Sequence, residues 1–198
     1  MQKEELRKLM LQQRRALSAE EVQRRSGRIA ALFFEQFPLQ AGQTVHVFLP
    51  ILKHNEINTW LIIEGLRREH PAVRVVVPVT DVAQNSLTHH HLTEESVLIE
   101  NAWGIPEPQN ARRVHAQEVD MVLLPLLAFD LYGHRVGYGK GFYDRFLAEC
   151  RPDVLKIGLS LEPPVERIAD PHPFDVQLDA VVMPERVWKR PEASDPEA

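Results

Sequence analysis

The stretch from Met121 to Leu147 constrains this chain more than any other. It opens with an apolar run, Met121 to Phe129, long enough for a buried strand, and closes with Phe142-Tyr-Asp-Arg-Phe-Leu147, which reads as a helix. Between them Gly133, Gly137, Gly139 and Gly141 supply four of the nine glycines in the chain. Alternating glycines let the backbone take positive φ and let N–H groups converge on one point. A helix N-terminus beside such a turn adds partial positive charge, and Arg135 and Lys140 add full charges, so a phosphate is its natural occupant. A plain tight turn is the other reading. The turn is not a Walker loop, because Lys140 is followed by Gly141 and Phe142 with no hydroxyl placed for a metal; the metal partner would have to be Asp144.

The rest of the chain supplies the partners of a strand–turn–helix unit. Residues 3–16 set Leu6, Leu9, Met10 and Leu17 on one helical stripe and Lys3, Arg7 and Arg14 on another, at spacings of four and seven. Ser18-Ala-Glu-Glu21 is a capping-box start for a second helix that Pro38 stops. Thr44 to Leu49 reads as a strand ending at Pro50, and Asn55 to Ile63 enters a third helix with Glu56 at the junction, where an acid also simply complements the helix dipole. Val73 to Val79 is a further strand, so strand, helix and strand form a βαβ unit with a parallel sheet. Ser86 to Leu92 suggests another, and Val154–Leu159 and Leu178–Met183 two more. In a strand His90 points away from His89 and His91, and no cysteine or carboxylate completes a motif, which argues against a metal at the histidine run. Trp103-Gly-Ile-Pro-Glu-Pro108 is a rigid corner with an exposed indole, since prolines 106 and 108 impose extended geometry around Glu107.

Composition narrows the function classes. With 198 residues and 44% hydrophobic content, one domain over residues 1–189 is expected, followed by a polar, proline-bearing tail, 190–198, that reads as disordered. A net charge of −5 argues against a general nucleic-acid binder. The single cysteine, Cys150, excludes an internal disulfide and fits a reducing compartment. No apolar run approaches the roughly 18 residues of a spanning helix, and the N-terminus is amphipathic rather than signal-like, so a cytoplasmic monomer acting on small molecules is expected.

The string Gly133-x-Arg135-x-Gly137-x-Gly139-x-Gly141-x-Tyr143-Asp144-Arg145, preceded by Pro125-x-x-Ala128-Phe129-Asp130, resembles the signature of the 5-formyltetrahydrofolate cyclo-ligase family, also called methenyltetrahydrofolate synthetases. The likeness runs, more loosely, from the N-terminal helix to about Glu185. It implies a single Rossmann-like α/β domain of the sugar-phosphate-isomerase-like type, with a mainly parallel sheet flanked by helices. It also implies ATP as co-substrate, Mg2+ as cofactor, and closure of 5-formyltetrahydrofolate to 5,10-methenyltetrahydrofolate. Carried over residue by residue, it places Lys3, Arg7, Arg135, Gly137, Gly139, Lys140, Gly141, Phe142 and Tyr143 at ATP. Of these, Lys140, Arg135 and Tyr143 stand at the reaction centre. Leu49, Glu56, Trp103, Glu107, Tyr138 and Phe142 fall at the folate. Asp144 and Asp179 are the metal ligands, with Asp179 preferred over Asp175.

Two other functions use the same turn. A sugar-phosphate isomerase would grip a monophosphate there and move a proton with Glu56 or Glu107. A sensing module would bind a phosphorylated effector without chemistry. The basic N-terminal helix and Asp144 separate these readings, because only a triphosphate with its metal needs both.

Overall fold

A computed structural model of the protein describes residues 1–81, 83–84 and 86–191; the expected tail from residue 192 onward lies outside the described residues. The chain begins with α1 (Lys3–Ala16) and α2 (Ala19–Gln36). A capping box between Gln2 and Glu5 starts the first, and the Ser18 hydroxyl, accepting from the Glu21 N–H at 3.1 Å, starts the second. The chain leaves α2 at Phe37, ahead of Pro38, as a missing N–H and a fixed φ require.

Then follow β1 (Thr44–His46), α3 (Trp60–Glu69), β2 (Arg74–Asp81), β3 (Ser86–His91), β4 (Leu98–Glu100), β5 (Pro106–Pro108) and β6 (Arg113–Val114). The second half holds β7 (Met121–Pro125), β8 (Ala128–Phe129), β9 (Arg135–Val136), α4 (Phe142–Glu149), β10 (Leu155–Leu159), β11 (Ala180–Val182) and β12 (Val187–Lys189). Eight strands form the central sheet in the order β12-β11-β10-β7-β1-β2-β3-β6. The five from β11 to β2 run parallel, with antiparallel strands at both edges. The βαβ unit expected around α3 is present, with Val45 in register with Val75.

The parallel strands are buried on both faces, which is why their sequences read as continuous apolar runs. One face packs Val45, Leu123 and Ile157 against Ile29 and Phe33 of α2 and Ile62, Ile63 and Leu66 of α3. The other packs Val122, Leu124 and Val181 against Phe146 and Leu147 of α4. Helix α1 joins neither layer. Its Leu6 sits with Ala128, Val136 and Ile168 against the β8–β9 hairpin, which lays the helix beside the glycine turn.

Two expected strands prove shorter. Regular pairing of β1 ends at His46, and Phe48 to Ile51 bends away, with the Phe48 carbonyl accepting from the Thr59 hydroxyl at 2.6 Å. The apolar run from Met121 to Phe129 divides at Pro125 between β7 in the main sheet and β8 in a separate hairpin. Periodicity could not show that division, because both pieces are buried.

Candidate active site

The β8–β9 hairpin delivers the glycine turn to the carboxyl end of β7. Asp130 closes its loop by accepting from the N–H groups of Tyr132 and His134, each at 3.0 Å, and the Leu127 N–H donates to the Val136 carbonyl at 2.7 Å. Residues 137–141 then lead into α4. Gly139 has φ +86°, and a Cβ there would stand 3.2 Å from the guanidinium carbon of Arg7; Gly141, at φ +66°, is the N-cap of α4. An L side chain at either position is strained, and at Gly139 it would also push out the cation.

Helix α1 supplies the charge over this turn. Arg7 Nε donates to the Gly137 carbonyl at 2.9 Å, which fixes its guanidinium above the glycines. Lys3 is ion-paired with Asp175. Lys140 is exposed, and among the described residues no acid pairs with it, so its ammonium is available to an anion. Arg145 donates to the Lys140 carbonyl at 2.8 Å and lies over the Phe142 ring, which ties the turn to the first turn of α4. Arg135 is placed differently from the sequence expectation. Its side chain is only 7% exposed and is held by Asp144 at 2.7 Å and by the Val176 carbonyl.

The acids also divide differently. Asp144 Oδ1 accepts from Arg135 and from the Val176 N–H at 3.1 Å, and its carboxylate is 28% exposed. Asp175, one residue before Val176, holds Lys3 and accepts from the His172 N–H at 2.6 Å through Oδ2. Asp179 lies elsewhere. It enters β11 beside the start of β10, its Oδ2 taken by the Lys156 N–H at 2.9 Å and the Lys156 ammonium at 2.8 Å, its Oδ1 by Arg190 at 2.6 Å. Both oxygens are committed at the amino edge of the strands, so Asp175, not Asp179, stands with Asp144. Asp175 and Asp179 stand four positions apart in sequence, and only the path of residues 172–179 tells them apart.

Among the residues expected at the folate, Glu56 is buried. Its Oε2 accepts from the Ile51 N–H at 2.8 Å and its Oε1 from the Tyr138 hydroxyl. Tyr138 belongs to the glycine turn, so the structure joins the turn to Glu56 directly. Trp103, 44% exposed, leans on Phe142 with ring centroids 6.4 Å apart, which brings the Trp103 corner to the start of α4. Glu107 is a structural anchor: its Oε1 accepts from the Thr80 N–H at 2.8 Å and from Asn101 at 2.9 Å, clamping β5 to the end of β2. The Leu49 side chain is in the core. Tyr143 packs against the same core, and burial, with the Glu56 charge, drives its hydroxyl far above the ordinary tyrosine pKa, so the phenol stays protonated near neutrality. Arg14 escaped the sequence reading except as one member of a basic stripe; it is buried and donates to Tyr138 at 2.9 Å.

Two features stand outside the site. His46 and His89 form a buried pair, Nε2 to Nδ1 3.2 Å, packed against Phe146, on which His89 stacks. Burial lowers both pKa values, that of His89 to about 4, so the pair is neutral packing beneath α4, and the histidine run contributes one core residue. Burial pushes the Cys150 thiol up to about 11, which makes it a poor nucleophile. An open groove of about 630 Å³ near the β3–β6 edge is lined by His91, Thr93, Val97, Ile99 and Arg112 among others, and by none of the expected site residues.

Fold and site together define an α/β protein with a glycine turn, flanking cations and two carboxylates at the carboxyl end of a parallel sheet, where such folds bind their ligands. The model of the 5-formyltetrahydrofolate cyclo-ligase family matches residues 1–184. The chain is 31% identical over 185 residues to the 5-formyltetrahydrofolate cyclo-ligase of Escherichia coli K12, covering 91% of this chain and 100% of that one. With the mouse enzyme of the same name it shares 29% over 152 residues, 73% of each chain. The 5,10-methenyltetrahydrofolate synthetase structure from Aquifex aeolicus superposes with a TM-score of 0.83 at 28% identity, covering 100% of this chain and 97% of that one. The synthetase from Mycoplasma pneumoniae gives 0.73 at 28% identity, with 93% and 100% covered. The chain therefore belongs to the 5-formyltetrahydrofolate cyclo-ligase family, and it is an enzyme, an ATP-dependent ligase.

Proposed function

We propose that the protein closes 5-formyltetrahydrofolate to 5,10-methenyltetrahydrofolate with ATP, releasing ADP and phosphate, and that the residues described above divide this work. The observation that carries the reading is the junction of two half-sites. The glycine turn reaches Glu56 through Tyr138 and the Trp103 corner through Phe142, so a triphosphate and a flat, hydrogen-bonding ring can lie side by side. The formyl oxygen takes the γ-phosphoryl group. The neighbouring folate nitrogen then attacks the activated formyl carbon and gives up its proton, and the carbon–oxygen bond breaks with loss of inorganic phosphate. The protein has little covalent work in this; it positions and neutralises.

The turn N–H groups, Arg7 and Lys3 hold the phosphates, and Lys140 meets the charge that develops on the transferring group. Magnesium fits the acids present. Asp144 and Asp175 each have one oxygen outside the contacts above, and a hard cation takes one or two carboxylates plus phosphate oxygens and water. When bound, the ion supplies charge neutralisation between the phosphates. Glu56 accepts from the ring N–H groups of the folate, and Trp103 stacks on it.

All of these groups come from one copy of the chain, which supports a monomer. Among the described residues no helix is long and apolar enough to cross a membrane, and with the lone cysteine this supports action in the cytoplasm. A sugar-phosphate isomerase is not favoured, because Glu107 is tied to Thr80 and Asn101 and a monophosphate gives the α1 cations no purpose. The test is stoichiometric. The protein should form the methenyl product, read by its absorbance, in equal amount with ADP and phosphate. Product formed without ATP, or ADP formed without product, contradicts the assignment.

A further inference from the structure

Arg14, buried in the last turn of α1, ends a chain of hydrogen bonds that leads to Glu56. Its side chain is buried; Nη2 donates to the Leu126 carbonyl at 2.7 Å and Nη1 to the Tyr138 hydroxyl oxygen at 2.9 Å. A phenol has a single proton. With Arg14 donating to its oxygen, the Tyr138 hydroxyl directs that proton to Glu56 Oε1. Burial and the Glu56 charge raise the Tyr138 pKa well above its ordinary value, so the proton stays in place across any working pH. The Ile51 N–H fixes the other carboxylate oxygen.

A second contact ties the same point to α1. Asn55, in the left-handed conformation at φ +55°, donates from its side chain to the carbonyls of Arg14 at 3.0 Å and Leu17 at 2.8 Å, which holds the residue before Glu56 against the end of the helix. We propose that Arg14 is a positioning residue that acts through Tyr138 to orient the Glu56 carboxylate toward the folate. This rests on the reading of Glu56 as the folate-binding acid. Helix α1 then serves both substrates, with Arg7 on the turn and Arg14 behind Glu56. Tyr138, between Gly137 and Gly139, is the shared link.

The test measures dissociation constants for 5-formyltetrahydrofolate and for ATP–magnesium, with thermal melts, in Tyr138→Phe, Arg14→Gln, their double variant, Arg14→Lys and Glu56→Gln. Tyr138→Phe keeps the ring and removes only the hydroxyl, so it remains informative if Arg14 variants fold poorly. A hydrogen bond to a charged group lost in this way corresponds to roughly tenfold or more in affinity. We expect that loss for the folate in Tyr138→Phe and Arg14→Gln, a partial recovery in Arg14→Lys, and ATP affinity within about twofold of the parent. Because Arg14 acts through the hydroxyl, its substitution should add less than about twofold on top of Tyr138→Phe. Unchanged folate affinity in Tyr138→Phe, an Arg14 effect undiminished in the double variant, or equal losses for both ligands would overturn the proposal. Glu56→Gln separates the two levels: if it weakens the folate while Tyr138→Phe does not, only the positioning role fails, and if it has no effect the folate reading fails beneath it.

Discussion

Replacing Asp144 by asparagine tests two roles of one carboxylate. Asp144 neutralises Arg135, whose side chain is 7% exposed, across 2.7 Å, and it is proposed to bind the metal. Asparagine keeps the size and one amide oxygen, so the bond from the Val176 N–H at 3.1 Å can persist, but the guanidinium loses its counter-charge. Breaking a fully buried pair from one side costs roughly 3–5 kcal/mol. Asp144 is 28% exposed, so water screens part of that, and a loss of about 2–3 kcal/mol is expected. For a chain of this size that lowers Tm by about 4–12 °C. Thermal melts of the free protein read the first role. Calorimetry of ATP with and without magnesium reads the second, and the variant should show nearly the same ATP affinity in both conditions. A variant that melts within about 2 °C of the parent, below the least shift that this scale allows, and that keeps the full magnesium dependence would refute both the pairing energetics and the metal role.

Trp103→Ala should weaken 5-formyltetrahydrofolate binding by roughly 1–3 kcal/mol, the scale of one stacking contact, with ATP unaffected; titrations that show equal losses for both ligands would move Trp103 out of the folate site. The His46–His89 pair predicts an acid-sensitive fold. Burial depresses both folded-state pKa values below the unfolded value of about 6.5, so the unfolded chain binds more protons as pH falls, and stability present above pH 6.5 is lost on descent toward pH 4. For His89 alone, lowered to about 4, the loss between pH 7 and pH 5 is roughly 2 kcal/mol. Urea titrations at those two pH values should show it, and equal stability at both would contradict neutral burial.

The parts of this site that were legible in the sequence are those carried by local pattern. Strand, glycine turn and helix follow from residues 121–147, and the stripe of Lys3, Arg7 and Arg14 follows from helical spacing. What was not legible depends on contacts between distant residues. Arg14 meets Tyr138 across 124 positions and Tyr138 meets Glu56 across 82, and no periodicity encodes either. Arg135 looked like a phosphate ligand because its charge stands beside the glycines, but the β8–β9 hairpin turns it inward to Asp144. Asp179 and Asp175 read alike as turn acids; Lys156 and Arg190 take up the first, and Lys3 takes up the second. His46 gave no signal, because a lone histidine inside an apolar strand looks the same whether it packs or reacts.

The most direct test of the central claim follows one oxygen atom. If the γ-phosphoryl group passes to the formyl oxygen before ring closure, 5-formyltetrahydrofolate labelled with heavy oxygen in its formyl group must hand that oxygen to inorganic phosphate. Mass spectrometry of the phosphate released in a single turnover should find the label there, one atom for each methenyltetrahydrofolate formed. Label recovered in water, with unlabelled phosphate, would contradict phosphoryl transfer to the folate.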